Sequence, residues 1–157
     1  MAQPEHPDVT AIAHRLAADG AWLAVAESLT GGELSSLFAT AGGSSDWYRG
    51  AVVAYSSDVK RSLLDVPEGP VVSAQAVTAM AENVADLFEA EVGLAVSGVA
   101  GPAAQDDQPP GTVWLAIHID GRTHTRIEHF EGEPPEVVDA TLRCAPAWLL
   151  ELLNQRT

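Results

Sequence analysis

The stretch Ala26-Glu-Ser-Leu-Thr-Gly-Gly32 sets two hydroxyls, Ser28 and Thr30, immediately before the paired glycines Gly31 and Gly32. An apolar run leads into it with strand character, and helical spacing leads out of it. A strand that feeds a helix through such residues gathers backbone N–H groups and a helix N-terminus around one point. That point favours negative charge, either a bound phosphate or a developing oxyanion, with the Thr30-Gly31-Gly32 backbone as the donor. Ser28 is the candidate nucleophile. Thr30 competes with it, and spacing does not decide between them. Either hydroxyl could equally be a plain helix cap.

A serine needs a base to become a nucleophile, and no histidine lies in this stretch. The chain carries seven arginines but a single lysine, Lys60. Arginine stays protonated, whereas a buried lysine can lose its proton and act as a base. Lys60 ends a second candidate segment, Tyr55-Ser-Ser-Asp-Val-Lys60, and falls in the first turn of an expected helix. There the macrodipole opposes positive charge, and burial adds to that effect, with Asp58 opposing it if close. Tyr55 could orient the pair or relay a proton. A third segment, Ser97-Gly98-Val-Ala100-Gly101-Pro102, offers a turn where backbone can approach a ligand closely. A further turn-rich loop, Gly42-Gly-Ser44-Ser45-Asp46, could present N–H groups to an anion or serve as an ordinary connector.

The elements that must position these residues are legible from periodicity. Helical spacing runs from Asp8, an expected N-cap, to Asp19, with Gly20 as the stop. The spacing predicts strands over 22–26, 48–55 and 92–96, and helices over 30–41, from about 58 to 64, and from Ser73 to about 90. Strands over 111–119 and 123–130 meet around Asp120-Gly121, a strong hairpin signal. A last helix spans 137–153, with Pro146 expected to kink or split it. Alternating strands and helices followed by a late hairpin predict an α/β fold, a three-layer α/β/α sandwich with a mixed sheet of about five strands. All three motif segments then follow the carboxyl ends of strands, where open α/β sheets bind ligands.

Composition narrows the function further. At 157 residues with 46% hydrophobic content the chain reads as one globular domain, with residues 1–7 as a flexible tail. A net charge of −14 argues against nucleic acid as a partner. No apolar run reaches the roughly 18 residues of a membrane span. The lone Cys144 and the absence of signal-peptide regions point to the cytoplasm. His118, His124 and His129 lack metal-ligand spacing and read as surface or interface residues on the late hairpin. No metal or cofactor is expected.

Taken in order, Ala26–Gly32, Gly43-Ser-Ser45, Arg49-Gly-Ala-Val-Val-Ala-Tyr-Ser56 through Lys60, Ser97–Pro102 and Gly111-Thr-Val-Trp114 resemble the CinA C-terminal domain family, which includes the nicotinamide-nucleotide amidases. The resemblance runs from about Val9 to Leu153. It implies hydrolysis of the carboxamide of nicotinamide mononucleotide to nicotinate mononucleotide and ammonia, by the serine of the first motif and the lysine of the second. Those roles fall on Ser28 and Lys60, with Tyr55 at the family's tyrosine position. Thr30, Gly31, Gly32, Ser44, Ser45, Arg49, Ser97, Gly98, Ala100 and Gly101 become the expected substrate-binding residues. A small-molecule pyridine nucleotide is the implied partner, and a homo-oligomer is a further expectation.

The sequence also departs from the family pattern. Leu29 stands where a cysteine is usual, and Ser57 where an asparagine is usual. Ala103-Ala-Gln-Asp-Asp-Gln108 is acidic and lacks the usual glycines and lysine. Pro134 and Val138 roughly occupy positions of late arginines. The catalytic residues are kept while groups suited to a phosphate are altered, so a shifted amide substrate stands beside the leading reading. A non-catalytic nucleotide-binding or regulatory domain that retains the fold is the alternative from another class.

Overall fold

A computed structural model describes residues 6–156. Helix α1 (Pro7–Asp19) precedes strand β1 (Leu23–Glu27), and helix α2 (Glu33–Ala39) follows it. A single 3-10 turn at Ser44–Asp46 leads into β2 (Tyr48–Val53), then α3 (Ser57–Leu64) and α4 (Ala74–Leu87). Strands β3 (Val92–Gly98), β4 (Thr112–Ile119) and β5 (Arg122–His129) come next, and α5 (Pro134–Asn154) closes the chain.

The five strands form one mixed sheet in the order β2-β1-β3-β4-β5. β1 is parallel to both β2 and β3, whereas β4 and β5 run antiparallel as a hairpin. Asp120 and Gly121 both take positive φ, as the two-residue turn between β4 and β5 requires. Side chains alternate across the sheet, so successive residues enter different cores. Leu23, Val25, Leu94 and Val96 pack with α1, α2 and α5, while Ala24, Ala26 and Ala95 face α3 and α4.

The second face is lined by alanine and glycine because α4 lies close upon it. A Cβ on Gly93 would collide with the carbonyl oxygen of Ala81 in α4. Backbone cannot yield as a flexible side-chain tip does. Gly93→Ala is therefore expected to lower stability by about 3 kcal/mol. A fall in the urea midpoint at unchanged m-value reports it.

Three local expectations change. His6, not Asp8, caps α1, its Nδ1 accepting from the Asp8 N–H at 3.2 Å, and Asp8 sits in the first turn instead. Of the kink or split expected at Pro146, the split does not occur: α5 runs as one 21-residue helix with Pro146 buried among its core residues. The expected flexible tail at residues 1–7 lies outside the described residues for 1–5, while Pro7 already begins α1.

Candidate active site

β1 lies between its parallel neighbours β2 and β3, so the chain departs to opposite faces after successive strands. The crevice beyond the carboxyl ends of β1 and β3 is therefore the topological switch point of the sheet. Ser28 directly follows β1, and Ser97 lies near the end of β3. Glu27 pairs with Val96 as the last paired position of β1, so Ser28 leaves its strand at the same edge where Ser97 ends β3 with Gly98.

The alternation of faces separates Glu27 from Ser28. Glu27 is fully buried and points toward α2. Its Oε1 accepts from Thr30 Oγ1 at 2.6 Å, from the Gly32 N–H at 2.9 Å and from the Leu34 N–H at 3.1 Å; its Oε2 accepts from the Ser35 N–H at 2.7 Å. The N-terminus of α2 is thus filled by the protein's own carboxylate. A buried carboxylate needs such donors, and the helix end needs such an acceptor.

That arrangement revises the expected donors and removes one rival nucleophile. Thr30 holds its hydroxyl on Glu27 and is not free to attack. The Gly31 N–H donates to the Ser28 carbonyl at 3.0 Å, and the Gly32 N–H is taken by Glu27. Gly31 and Gly32 thereby shape the turn, both at positive φ, rather than offering N–H groups to a ligand. Just after Ser28, by contrast, the N–H groups of Leu29 and Thr30 donate to no acceptor among the described residues. Ser28 is 5% exposed, and its hydroxyl is likewise unpartnered but not sealed from solvent.

Lys60 comes to the same crevice from α3. Ser56 caps that helix, its Oγ accepting from the Val59 N–H at 3.2 Å. Lys60 is only 2% exposed, and its Nζ donates to Ser97 Oγ at 3.1 Å. Ser97 Oγ in turn donates to the Val71 carbonyl at 2.8 Å. With its proton spent on Val71, Ser97 accepts from the amine, which leaves the lone pair of a neutral Lys60 free for another proton. Burial pushes the Lys60 pKa from 10.5 down to about 8; Asp106 pulls upward and Arg61 downward. The opposing carboxylate is Asp106, not the Asp58 that sequence suggested.

Other expected site residues are placed elsewhere. Tyr55 is 74% exposed and its side chain makes no hydrogen bond to Ser28 or Lys60, so the expected orienting contact is not formed. Ser44, Ser45 and Arg49 sit at the opposite end of the sheet: the Leu23 N–H donates to the Trp47 carbonyl, and Leu23 pairs with Tyr48. Five residue steps, about 16 Å, separate Leu23 at that end from Ser28. Ser44 Oγ donates to the Ala39 carbonyl, and the Arg49 guanidinium lies 4.3 Å over the Trp22 ring. The smallness of Gly98 serves the fold, since a Cβ there would meet the Thr112 carbonyl at 2.8 Å. Ala100 packs against the α1/α2/α5 core, and Gly101 would meet Pro110 at 3.0 Å. A surface cleft of about 560 Å³ lined by Arg122, His124, Gln155 and Arg156 lies at the hairpin end of β4 and β5, also far from Ser28.

Lys60 and Ser97 thus meet at the switch point, at the strand edge that Ser28 also follows, and the similarity to known proteins covers the same segments. The CinA C-terminal domain family matches residues 6–153. The chain belongs to that family. Protein YdeJ of Escherichia coli strain K12 is 35% identical over 150 residues, covering 92% of this chain and 87% of that one. A CinA-like protein of Frankia casuarinae is 40% identical over 122 residues, covering 74% of this chain but only 28% of its own length. Among solved structures, the competence damage-inducible protein A of Klebsiella pneumoniae superposes with a TM-score of 0.93 at 34% identity, over 99% of this chain and 100% of that one. The CihA protein of Agrobacterium tumefaciens reaches 0.84 at 29% identity, over 98% and 100%. CinA-superfamily proteins therefore share the five-stranded sheet and its flanking helices. Among the described residues, no helix is long and apolar enough to cross a membrane, and no His, Cys, Asp and Glu cluster could hold a metal ion.

Proposed function

We propose that the chain is a serine–lysine amidohydrolase acting on the carboxamide of nicotinamide mononucleotide or a close amide relative. The observation that carries the reading is a buried lysine, with its pKa lowered to about 8, held by Ser97 at the strand edge from which an unpartnered Ser28 follows β1.

In this reading neutral Lys60 takes the Ser28 proton as Oγ attacks the carboxamide carbon. A C–O bond forms, and the carbonyl π electrons move to oxygen. The free N–H groups of Leu29 and Thr30 follow the nucleophile in sequence and are the donors for that oxyanion. The protonated Lys60 then gives its proton to the departing nitrogen, the C–N bond breaks and ammonia leaves. Water, deprotonated by Lys60, hydrolyses the acyl-serine ester to the carboxylate and restores Ser28. Tyr55 stands beside this edge as an exposed ring, suited to cover a pyridine face rather than to move a proton.

Ammonia release by the purified protein tests the reading. Nicotinamide mononucleotide, nicotinamide riboside and nicotinamide are offered separately. Turnover of the mononucleotide supports the nucleotide substrate, and turnover of the riboside alone a shifted one. No ammonia from any of the three contradicts the amidase reading and favours a binding or regulatory domain.

A further inference from the structure

The loop between β3 and β4 carries a feature with no part in the chemistry above. Gln105 and Gln108 exchange backbone hydrogen bonds at 3.2 and 2.8 Å, closing a two-residue turn whose central residues are Asp106 and Asp107. Both have positive φ, 52° and 61°. That conformation is disfavoured for residues other than glycine, asparagine and aspartate, so the two aspartates suit it, and a constraint from outside the turn adds to that fit. The constraint is visible. Asp106 Oδ2 accepts from the Val71 N–H at 2.9 Å and from the Val72 N–H at 3.1 Å. Val71 is the residue whose carbonyl takes the Ser97 proton.

We propose that Asp106 is a positioning residue for Lys60: from the tip of its turn it pins the Val71–Val72 backbone, whose Val71 carbonyl orients Ser97 Oγ to receive Lys60 Nζ. The chain of contacts runs Asp106, Val71, Ser97, Lys60, and each link is a hydrogen bond of 3.1 Å or less. Every member except Asp106 is buried, so the loop supplies the one link open to solvent. The charges acting on Lys60 are Asp106 from this loop and Arg61 on its own helix. Asp106 thus also favours the protonated amine, while Arg61 and burial favour the neutral one. The inference deepens the serine–lysine reading and rests on Lys60 being the base.

Because Lys60 is the sole lysine, side-chain NMR of lysine-labelled protein reads it alone and needs no substrate. Asp106→Asn keeps an acceptor oxygen and removes the charge. It is expected to move the Lys60 midpoint down from near 8 by roughly half a pH unit. Asp106→Gly relieves the turn and deletes the acceptor, so the turn itself does not suffer. It is expected to speed exchange of the Val71 and Val72 amides about tenfold. It is also expected to merge the two Hε signals of Lys60, inequivalent while Nζ is pinned, and to lower kcat about tenfold with KM little changed. Asp107→Asn, one residue away, leaves all of these at wild-type values. The inference is overturned if Asp106→Asn leaves the Lys60 midpoint unmoved, or if Asp106→Gly leaves the Hε signals as in wild type. Absence of turnover by the wild-type protein bears on the amidase reading alone, since the Lys60 signals report the linkage without it.

Discussion

Lys60→Met is expected to lower kcat by about 1,000-fold while making the protein more stable at pH 7. The loss follows from the role of the amine: general base catalysis contributes roughly 10²–10⁴-fold, and no histidine stands by to replace it. The gain follows from linkage. In the folded protein burial lowers the Lys60 pKa from 10.5 to about 8, so between those values the unfolded chain binds the proton more tightly. Stability therefore rises with pH across that window, and below pH 8 the cost of burying the ammonium is present in full. Methionine fills the same space without charge, offset partly by the lost hydrogen bond to Ser97. A rise of about 2 kcal/mol is expected at pH 7, and the pH-dependent increase in stability between 8 and 10.5 should disappear. Denaturant midpoints at pH 7 and pH 10, beside ammonia release, check both halves. Equal or lower stability at pH 7 would place the amine in a less costly environment than a buried, desolvated one.

Ser28→Ala carries the second large effect, about a 10⁴-fold loss in kcat. Its value lies in the contrast with Thr30. Thr30 donates its hydroxyl to Glu27 at 2.6 Å and serves the turn. Thr30→Ser keeps that donor and is expected to retain activity within a few fold. Thr30→Val leaves Glu27 short of one donor and is expected to cost stability, about 1–2 kcal/mol, with some activity remaining. Catalysis that survives in Ser28→Ala and vanishes in Thr30→Val, while Thr30→Ser stays active, would exchange the two roles.

Much of the molecule was legible because local signals agreed with the fold. Val92–Val96 and the Asp120-Gly121 turn each carried an unambiguous pattern, and the placement of three motifs after three parallel strands followed from topology alone. Glu27 was missed because acidic residues usually cover solvated faces. The available signal was its position as the last residue of an otherwise apolar strand, five residues before the Gly32 N-cap of a helix that lacks a side-chain cap. The misplacement of Ser44, Ser45 and Arg49 had a simple cause. A helix leaving the carboxyl end of β1 must return the chain to the amino end before β2 begins, so residues just before β2 cannot stand at the Ser28 edge. The Asp106–Asp107 turn was hidden for a different reason: prolines and polar residues surround it, with none of the alternating apolar residues that announce a hairpin. Its function depends on Val71, 35 residues away in sequence, a contact no local pattern encodes.

The central claim is that Lys60 is the base for Ser28. The most direct measurement is the pH dependence of kcat/KM from pH 6 to 10, set beside the NMR titration of the sole lysine in the free protein. kcat/KM reports groups of the free enzyme, so the two midpoints refer to the same state. The expected result is activity that rises with pH through a single ionisation near 8, coinciding with the Lys60 midpoint. A rising limb displaced from the lysine titration by a full unit, or a flat profile through it, would contradict the assignment.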